Sequence, residues 1–208
     1  ITSSSTSVTS PPSIAVTAVV SGTASPDTAA LNIWDGVSGI VSATGWNNWH
    51  PTDAGTGFPQ TSPVLNYLTG TSSGLTVTFS EVDLLVDNFD NGAGFGNTST
   101  WWVPKAAWEL TSTINNGNSM TITINNCNTS HHYDLEIGTA RNTVSDRNEL
   151  FKINGVTMTN GAPNAKQNIN TPATATNISP NGSGQIQIVI TCTNTFSFVN
   201  WLVIKDQH

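Results

Sequence analysis

Charge is what this 208-residue chain has least of: Asp, Glu, Lys and Arg together make up 9% of it, against roughly 25% in an ordinary soluble domain. Basic residues number 6 against 13 acidic ones, for a formal net charge of −7. Arg141 and Arg147 are its arginines, and no basic run occurs anywhere. A phosphate backbone or an anionic membrane surface demands a clustered basic footprint. Nucleic acid is therefore excluded as a partner, and an acidic membrane surface with it. No apolar run approaches the roughly 20 residues of a transmembrane helix, so no membrane insertion is expected. No basic start leads into an apolar stretch, and any signal peptide is expected to have been removed already.

Chemistry-bearing motifs are equally scarce. The histidines are His50, His131, His132 and His208. There is no Gly-x-Ser-x-Gly elbow, no His-Glu-x-x-His and no Gly-rich phosphate loop. Carboxylates are too few and scattered to propose a glycosidase pair. The expectation is a binding or structural protein and not an enzyme. Cysteine is limited to Cys127 and Cys192, too few and too distant for a metal site. Each follows a strand candidate, at 120–124 and 185–191, which is the placement of an inter-strand disulfide. Two free buried thiols are the alternative. An export-like composition favours the bridge and a secreted, extracellular or cell-surface location.

What fills the chain instead is Ser, Thr, Asn and Gly, which solubilise a surface without charge and suit turns better than helix interiors. Residues 1–28 form a Ser/Thr-rich extension containing a strand candidate at 13–21, where small and β-branched residues occupy both faces. A main domain is expected over 29–208, opening on a strand at 29–34. Strands are predicted at 75–79, 82–86, 101–103, 120–124, 133–137, 149–153, 185–191 and 196–204, with one short helix candidate at 105–110. The turn dipeptides Asn116-Gly117, Asn154-Gly155, Asn160-Gly161 and Asn181-Gly182 punctuate them. Many short strands between such turns read as an all-β protein, an antiparallel β-sandwich or jelly roll.

Tryptophan is plentiful, at 7 residues, and it clusters. Trp46-Asn47-Asn48-Trp49-His50-Pro51 lies in a Gly/Asn/Pro-rich stretch, and Trp101-Trp102 follows a polar loop. An indole can stack on the apolar C–H face of a sugar while Asn, Asp and Arg bond its hydroxyls. Tryptophan is also the side chain that dominates burial. For Trp34, Trp108 and Trp201 a core role is expected; for Trp49 and Trp102 both roles are open. The candidate ligand-binding set is Trp46, Asn47, Asn48, Trp49, Asp87, Trp102 and Arg141. For Arg141 and Arg147 the alternative is structural pairing with Glu149, Asp146 or Glu136. The loop Asp87-Asn88-Phe89-Asp90-Asn91-Gly92 is rich in hard oxygen ligands. If it holds a metal through Asp87 and Asp90, the ion is a structural calcium.

Several segments in order carry a family resemblance. They are Leu31-Asn32-Ile33, Gly45-Trp46-Asn47-Asn48, Tyr133-Asp134-Leu135-Glu136-Ile137-Gly138-Thr139-Ala140-Arg141, Phe151-Lys152-Ile153-Asn154-Gly155 and Val199-Asn200-Trp201-Leu202-Val203-Ile204. Over about residues 29–204 the chain resembles the non-catalytic, galactose-binding-like jelly-roll modules of secreted bacterial polysaccharide-degrading proteins. It departs from them at Ala140, where the family usually has Ser, and in the extension before residue 29. The resemblance implies a galactose-binding-like sandwich whose partner is a polysaccharide or glycan, a neutral one because net charge −7 repels polyanions. A second class of function is a subunit of an extracellular fibre or adhesin that self-associates by exchange of the strand at 13–21.

Overall fold

The computed structural model describes residues 27–33, 43–49, 59–80, 112–115 (backbone), 117–158, 164–168 and 171–208. The expected strands at 13–21, 82–86 and 101–103, the helix candidate at 105–110, and Trp34, Asp87, Asp90, Trp101, Trp102 and Trp108 lie outside the described residues. Among those described there is no helix, and so none long and apolar enough to cross a membrane.

The chain folds as a β-sandwich. In chain order its strands are β1 (Thr28–Ile33), β2 (Asn47–Trp49), β3 (Gln60–Thr61), β4 (Thr76–Ser80), β5 (Ser112–Asn115), β6 (Ser119–Asn125), β7 (His132–Gly138), β8 (Glu149–Ile153), β9 (Val156–Thr157), β10 (Ala173–Ile178), β11 (Ile186–Cys192), β12 (Phe196–Val199) and β13 (Trp201–Gln207). One sheet runs β10-β7-β13-β1-β2, the other β3-β4-β6-β11-β8-β9, and β12 pairs separately with β5. Pairing is antiparallel except between β1 and β2.

Period-2 sequences build the six-stranded sheet. In β6 Met120, Ile122 and Ile124 turn inward and alternate with Ser119, Thr121, Thr123 and Asn125. In β11 Ile186, Ile188 and Ile190 do the same. They meet Leu31, Ile33, Leu135, Ile137, Leu202 and Ile204 of the five-stranded sheet in one core. Asn154 and Gly155, both at positive φ (48° and 82°), form the two-residue turn that joins β8 to β9, as a primed hairpin turn requires.

Two expectations are corrected. The predicted strand at 196–204 is two strands broken at Asn200. That residue is buried; its N–H donates to Gly138 O at 2.8 Å and its side-chain oxygen accepts from Ala140 N at 2.6 Å. It hands the chain from the β12–β5 ribbon to the five-stranded sheet. The Cys127–Cys192 disulfide is absent: both are free and buried. Each follows or ends its strand, but β6 and β11 are antiparallel neighbours, so those ends lie at opposite ends of the ladder. Cys127 N–H donates to Gly184 O before β11 begins, and Cys192 N–H donates to Asn118 O before β6 begins. The length of β11 between them is roughly 20 Å, far beyond the reach of a disulfide. Burial, and then the charge of Asp206, push the Cys127 thiol up to about 12.

Candidate functional site

The expected ligand-binding segment 46–49 is held by the five-stranded sheet, and most of its polar groups are engaged there. β2 lies parallel to β1, with Leu31 opposite Asn47 and Ile33 opposite Trp49. Asn48 Oδ1 accepts from Asn32 Nδ2 and from Ala43 N, both at 2.9 Å. Its NH2 donates to Ala43 O at 3.1 Å and Trp46 O at 2.9 Å. One amide thus closes the turn at 43–46 onto the sheet. The NH2 of Asn47 donates to Ala30 O and Asn66 O, and its oxygen accepts from Asn66 N at 2.7 Å.

The turn pinned by Asn48 presses Trp46 down on the sheet. Trp46 is 9% exposed and meets Trp201 edge to face, with ring centroids 6.1 Å apart at 84°. With Ala30, Ala43, Ala140 and Val203 they form a second apolar cluster on the sheet's outer side. Trp201 lies flat over its cross-strand neighbour Gly138; a Cβ there would fall 2.0 Å from the indole, so only glycine admits the ring. Trp49 is half-buried and packs against Phe79, with centroids 5.2 Å apart. A depression of about 320 Å³ does open beside Trp46, between Asn47, Asn66, Tyr67 and Thr69. The Asn47 amide that lines it already serves three backbone partners.

Arg141 directly follows Ala140, which packs in the cluster with Trp46 and Trp201. Its backbone N–H donates to Ala165 O at 2.7 Å, and its guanidinium carbon is 5.9 Å from the centre of the Phe198 ring. Arg147 is placed in the same way 6.0 Å from Phe196, and its Nη1 donates to Asp146 O. Trp46, Asn47, Asn48 and Trp49 are brought together, Arg141 follows Ala140 of the Trp46 cluster, and Asp87, Trp102 and Asp90 lie outside the described residues.

A different surface gathers uncharged hydrogen-bonding groups. The outward residues of the six-stranded sheet include Thr76, Thr78 and Ser80 on β4, Ser119, Thr121, Thr123 and Asn125 on β6, and Gln187 and Thr191 on β11, with Val189 on β11 and Leu150 and Lys152 on β8 beside them. Register sets Thr78 beside Thr123 and Thr123 beside Gln187. Where this face meets the β8–β9 turn and the loop after β10, a depression of about 500 Å³ is lined by Thr123, Asn154, Ser179, Pro180, Asn181, Gln185 and Gln187. Its walls are fixed by their own hydrogen bonds. Asn154 donates to Ser179 O at 3.0 Å and accepts from Gln187 N at 2.9 Å. Asn181 Oδ1 accepts from Ser183 N and Gln185 N. Gln185 Nε2 donates to Asn125 Oδ1 at 3.0 Å. Among the described residues, the side-chain amide of Gln187 and the NH2 of Asn181 have no protein partner. Sequence reasoning missed this site because it looked for aromatics; the signal was the run of hydroxyl and amide residues at alternate positions of β4, β6 and β11.

No protein-family model matches the chain, and no curated protein matches it. Solved structures that match in part include two carbohydrate-active enzymes. One is a family GH115 4-O-methyl-α-glucuronidase with specificity for decorated arabinogalactans, 12% identical over 46% of this chain and 14% of its own, with a TM-score of 0.34. The other is an exo-β-1,3-galactanase from Phanerochaete chrysosporium, solved with galactose, 16% identical over 67% of this chain and 31% of its own, with a TM-score of 0.33. The chain spans less than a third of either structure, and at those scores neither activity carries over to it.

Proposed function

We propose that this chain is a non-catalytic domain that binds an uncharged glycan on the outer face of its six-stranded sheet. The observation that carries the reading is the depression of about 500 Å³ around Thr123, Asn181, Gln185 and Gln187, whose lining holds amides, hydroxyls and Pro180 and no charged side chain. A sugar hydroxyl both donates and accepts, and a side-chain amide offers both functions from one group. Neutral partners of this kind bind without the cost of desolvating a charge. Glycoside hydrolysis needs a pair of carboxyl groups, and none lines the depression, which favours binding over catalysis.

Retardation in native gels containing neutral polysaccharides tests this. Wild-type protein should be retarded by at least one of a galactan, a xylan and a β-glucan. The double variant Thr123→Val, Gln187→Ala should lose about 2 kcal/mol, two neutral hydrogen bonds, or about thirtyfold in affinity, with an unchanged melting temperature. No retardation of wild type on any of the three, or equal retardation of the variant, overturns the proposal.

A second reading, a subunit that assembles by strand addition, draws on one specific feature. On one side of the sandwich the edge strands β9 and β10 flank a cleft of about 360 Å³ that mixes Ile153, Val156, Met158, Ala175 and Ile178 with Thr157, Thr174 and Thr176. Val156 is 72% exposed there. An added strand would cover that side and pair with an edge. Sedimentation velocity decides: assembly that deletion of residues 1–21 abolishes supports it, and a chain that stays monomeric at every concentration removes it.

A further inference from the structure

We propose that His131, Asp206 and His208 form a binding site for one divalent ion of the imidazole-preferring class, with zinc as its representative. The topology brings them together. β13 runs antiparallel to both β1 and β7, so the end of β13 meets the beginnings of the other two. Asp206 is paired with Tyr133 and Gln207 with His132, and Asp206 N–H donates to Asp27 O just before β1.

The three ligand atoms already define one face of a coordination polyhedron. His131 Nδ1 lies 2.8 Å from Asp206 Oδ1 and 3.4 Å from His208 Nδ1. His208 Nδ1 lies 3.9 Å from Asp206 Oδ1. Bonds of about 2.0–2.1 Å in a tetrahedral site set ligand atoms roughly 3.3–3.4 Å apart, and the three separations bracket that edge. No ion of the hard, oxygen-preferring class suits two imidazoles.

Neighbouring groups prepare each ligand. Asp27 Oδ2 lies 2.6 Å from His208 Nε2; it holds the ring proton there and leaves Nδ1 as a lone pair. This is the carboxylate–histidine pairing that commonly supports metal sites. Tyr67 donates its phenol proton to Asp206 Oδ2 at 3.3 Å, which leaves Oδ1 for the ion. Asp27 and Asp206 together balance the charge of a dication. His131 Nε2 lies 2.9 Å from the Asn128 amide. On binding, the His131 proton moves from Nδ1, where Asp206 accepts it, to Nε2, and the Asn128 side chain turns its carbonyl to receive it, giving up the bonds that this oxygen accepts from Ser130 N and Oγ. Asp206 is 8% exposed while His208 is 57% exposed, so a fourth position faces water.

Calorimetric titration of the whole chain with zinc chloride tests the assignment, with magnesium and calcium chloride as controls. Wild type should bind one zinc, and neither control ion should compete for it. His131→Ala and His208→Ala should each abolish uptake, Asp27→Asn should weaken it about tenfold through His208, and the adjacent exposed His132→Ala should leave it unchanged. Cobalt(II) on wild-type protein gives a second readout independent of any variant: intense visible absorption marks four-coordinate binding. The proposal is overturned by no zinc uptake, by a weak six-coordinate cobalt spectrum, by uptake that survives loss of His131 and His208, or by equal damage from His132→Ala.

Discussion

On β13, Trp201 and Val203 point away from the main core and are as buried as Leu202 and Ile204, which point into it. On β11 the residues that point outward, Gln187, Val189 and Thr191, are exposed or half-exposed. The two sheets thus face the core alike and the outside differently. The difference is written in the composition of the strands. Trp-Leu-Val-Ile and Thr-Ala-Ala-Leu-Asn-Ile in β13 and β1 have no polar period, whereas Ser-Met-Thr-Ile-Thr-Ile-Asn in β6 alternates strictly. A strand with two apolar faces needs a second cover, and the turn carrying Trp46, with Leu68 and Ala140, supplies one. The other sheet keeps its outer face wet, and that is the face available to a ligand.

The largest effect should come from removing the second cover at its centre. Trp201 is fully buried against Gly138, Trp46 and Val203. Trp201→Ala should destabilise by about 3–5 kcal/mol, the range for an aromatic removed from a packed interior. Urea denaturation measures it. A loss under about 1 kcal/mol would mean that the outer cluster is loosely packed and the two faces are alike.

Next comes the amide that holds the cover in place. Asn48→Ala removes four hydrogen bonds and leaves the buried Asn32 side chain without this partner. A loss of about 1–3 kcal/mol is expected. If Trp46 depends on this turn, its indole fluorescence should shift to the red in the variant, while Trp49, held by Phe79, stays as it was. An unshifted spectrum would show that Trp46 docks without help from Asn48.

A third change probes the inward side. Glu149 is fully buried at the start of β8, in line with Phe151 and Ile153. Burial pushes its carboxyl well above the usual range; the Phe198 N–H, which donates to Oε1 at 2.6 Å, and Thr139 pull the other way. A carboxyl with a raised folded-state pKa stabilises the fold in its protonated form. That contribution is fully present below the unfolded value of about 4.3 and is lost as pH rises through the folded one. Glu149→Gln keeps the oxygen that Phe198 needs and removes the ionisation. Its melting temperature should exceed that of wild type at pH 7, and the gain should vanish near the unfolded value. A variant less stable than wild type at pH 7 would show that Glu149 is ionised and compensated.

Sequence pattern carried the sandwich further than it carried the site. The strands whose burial alternates, β4, β6, β8 and β11, were legible to within a residue or two, because burying one face of a sheet leaves a period of 2. Asn154-Gly155 announced its turn through the backbone it must adopt. By contrast β10, Ala-Thr-Ala-Thr-Asn-Ile, and β2, Asn-Asn-Trp, carry little apolar content and form by pairing with β7 and β1. The disulfide failed on direction: two cysteines at like ends of strands are far apart when the strands run opposite ways. Trp201 was legible as core. Trp46 was not separable from a ligand platform by its neighbours alone, since the same Asn residues that could bond a sugar bond the backbone of residues 30, 43, 46 and 66 instead.

The smallest effect is expected on the wet face, and it is the sharpest check on the contrast. Thr121 lies on the outer side of β6, half-exposed, beside Ser80 on one flank and Val189 on the other. Thr121→Val keeps the β-branched shape that suits a strand and changes only whether the outward group is a hydroxyl or a methyl. In water the two differ little for stability, and the change should stay within about 0.5 kcal/mol of wild type, as surface substitutions do. Were the face covered like its counterpart, the result would divide by what covers it. An apolar cover would reward the methyl with a gain of about 1 kcal/mol from burial. A polar cover bonded to the hydroxyl would exact a loss of similar size. Paired urea curves for Thr121→Val and Trp201→Ala therefore place both outer faces on one scale, and a shift beyond about 1 kcal/mol in either direction for Thr121→Val would mean that the six-stranded sheet too has a second cover.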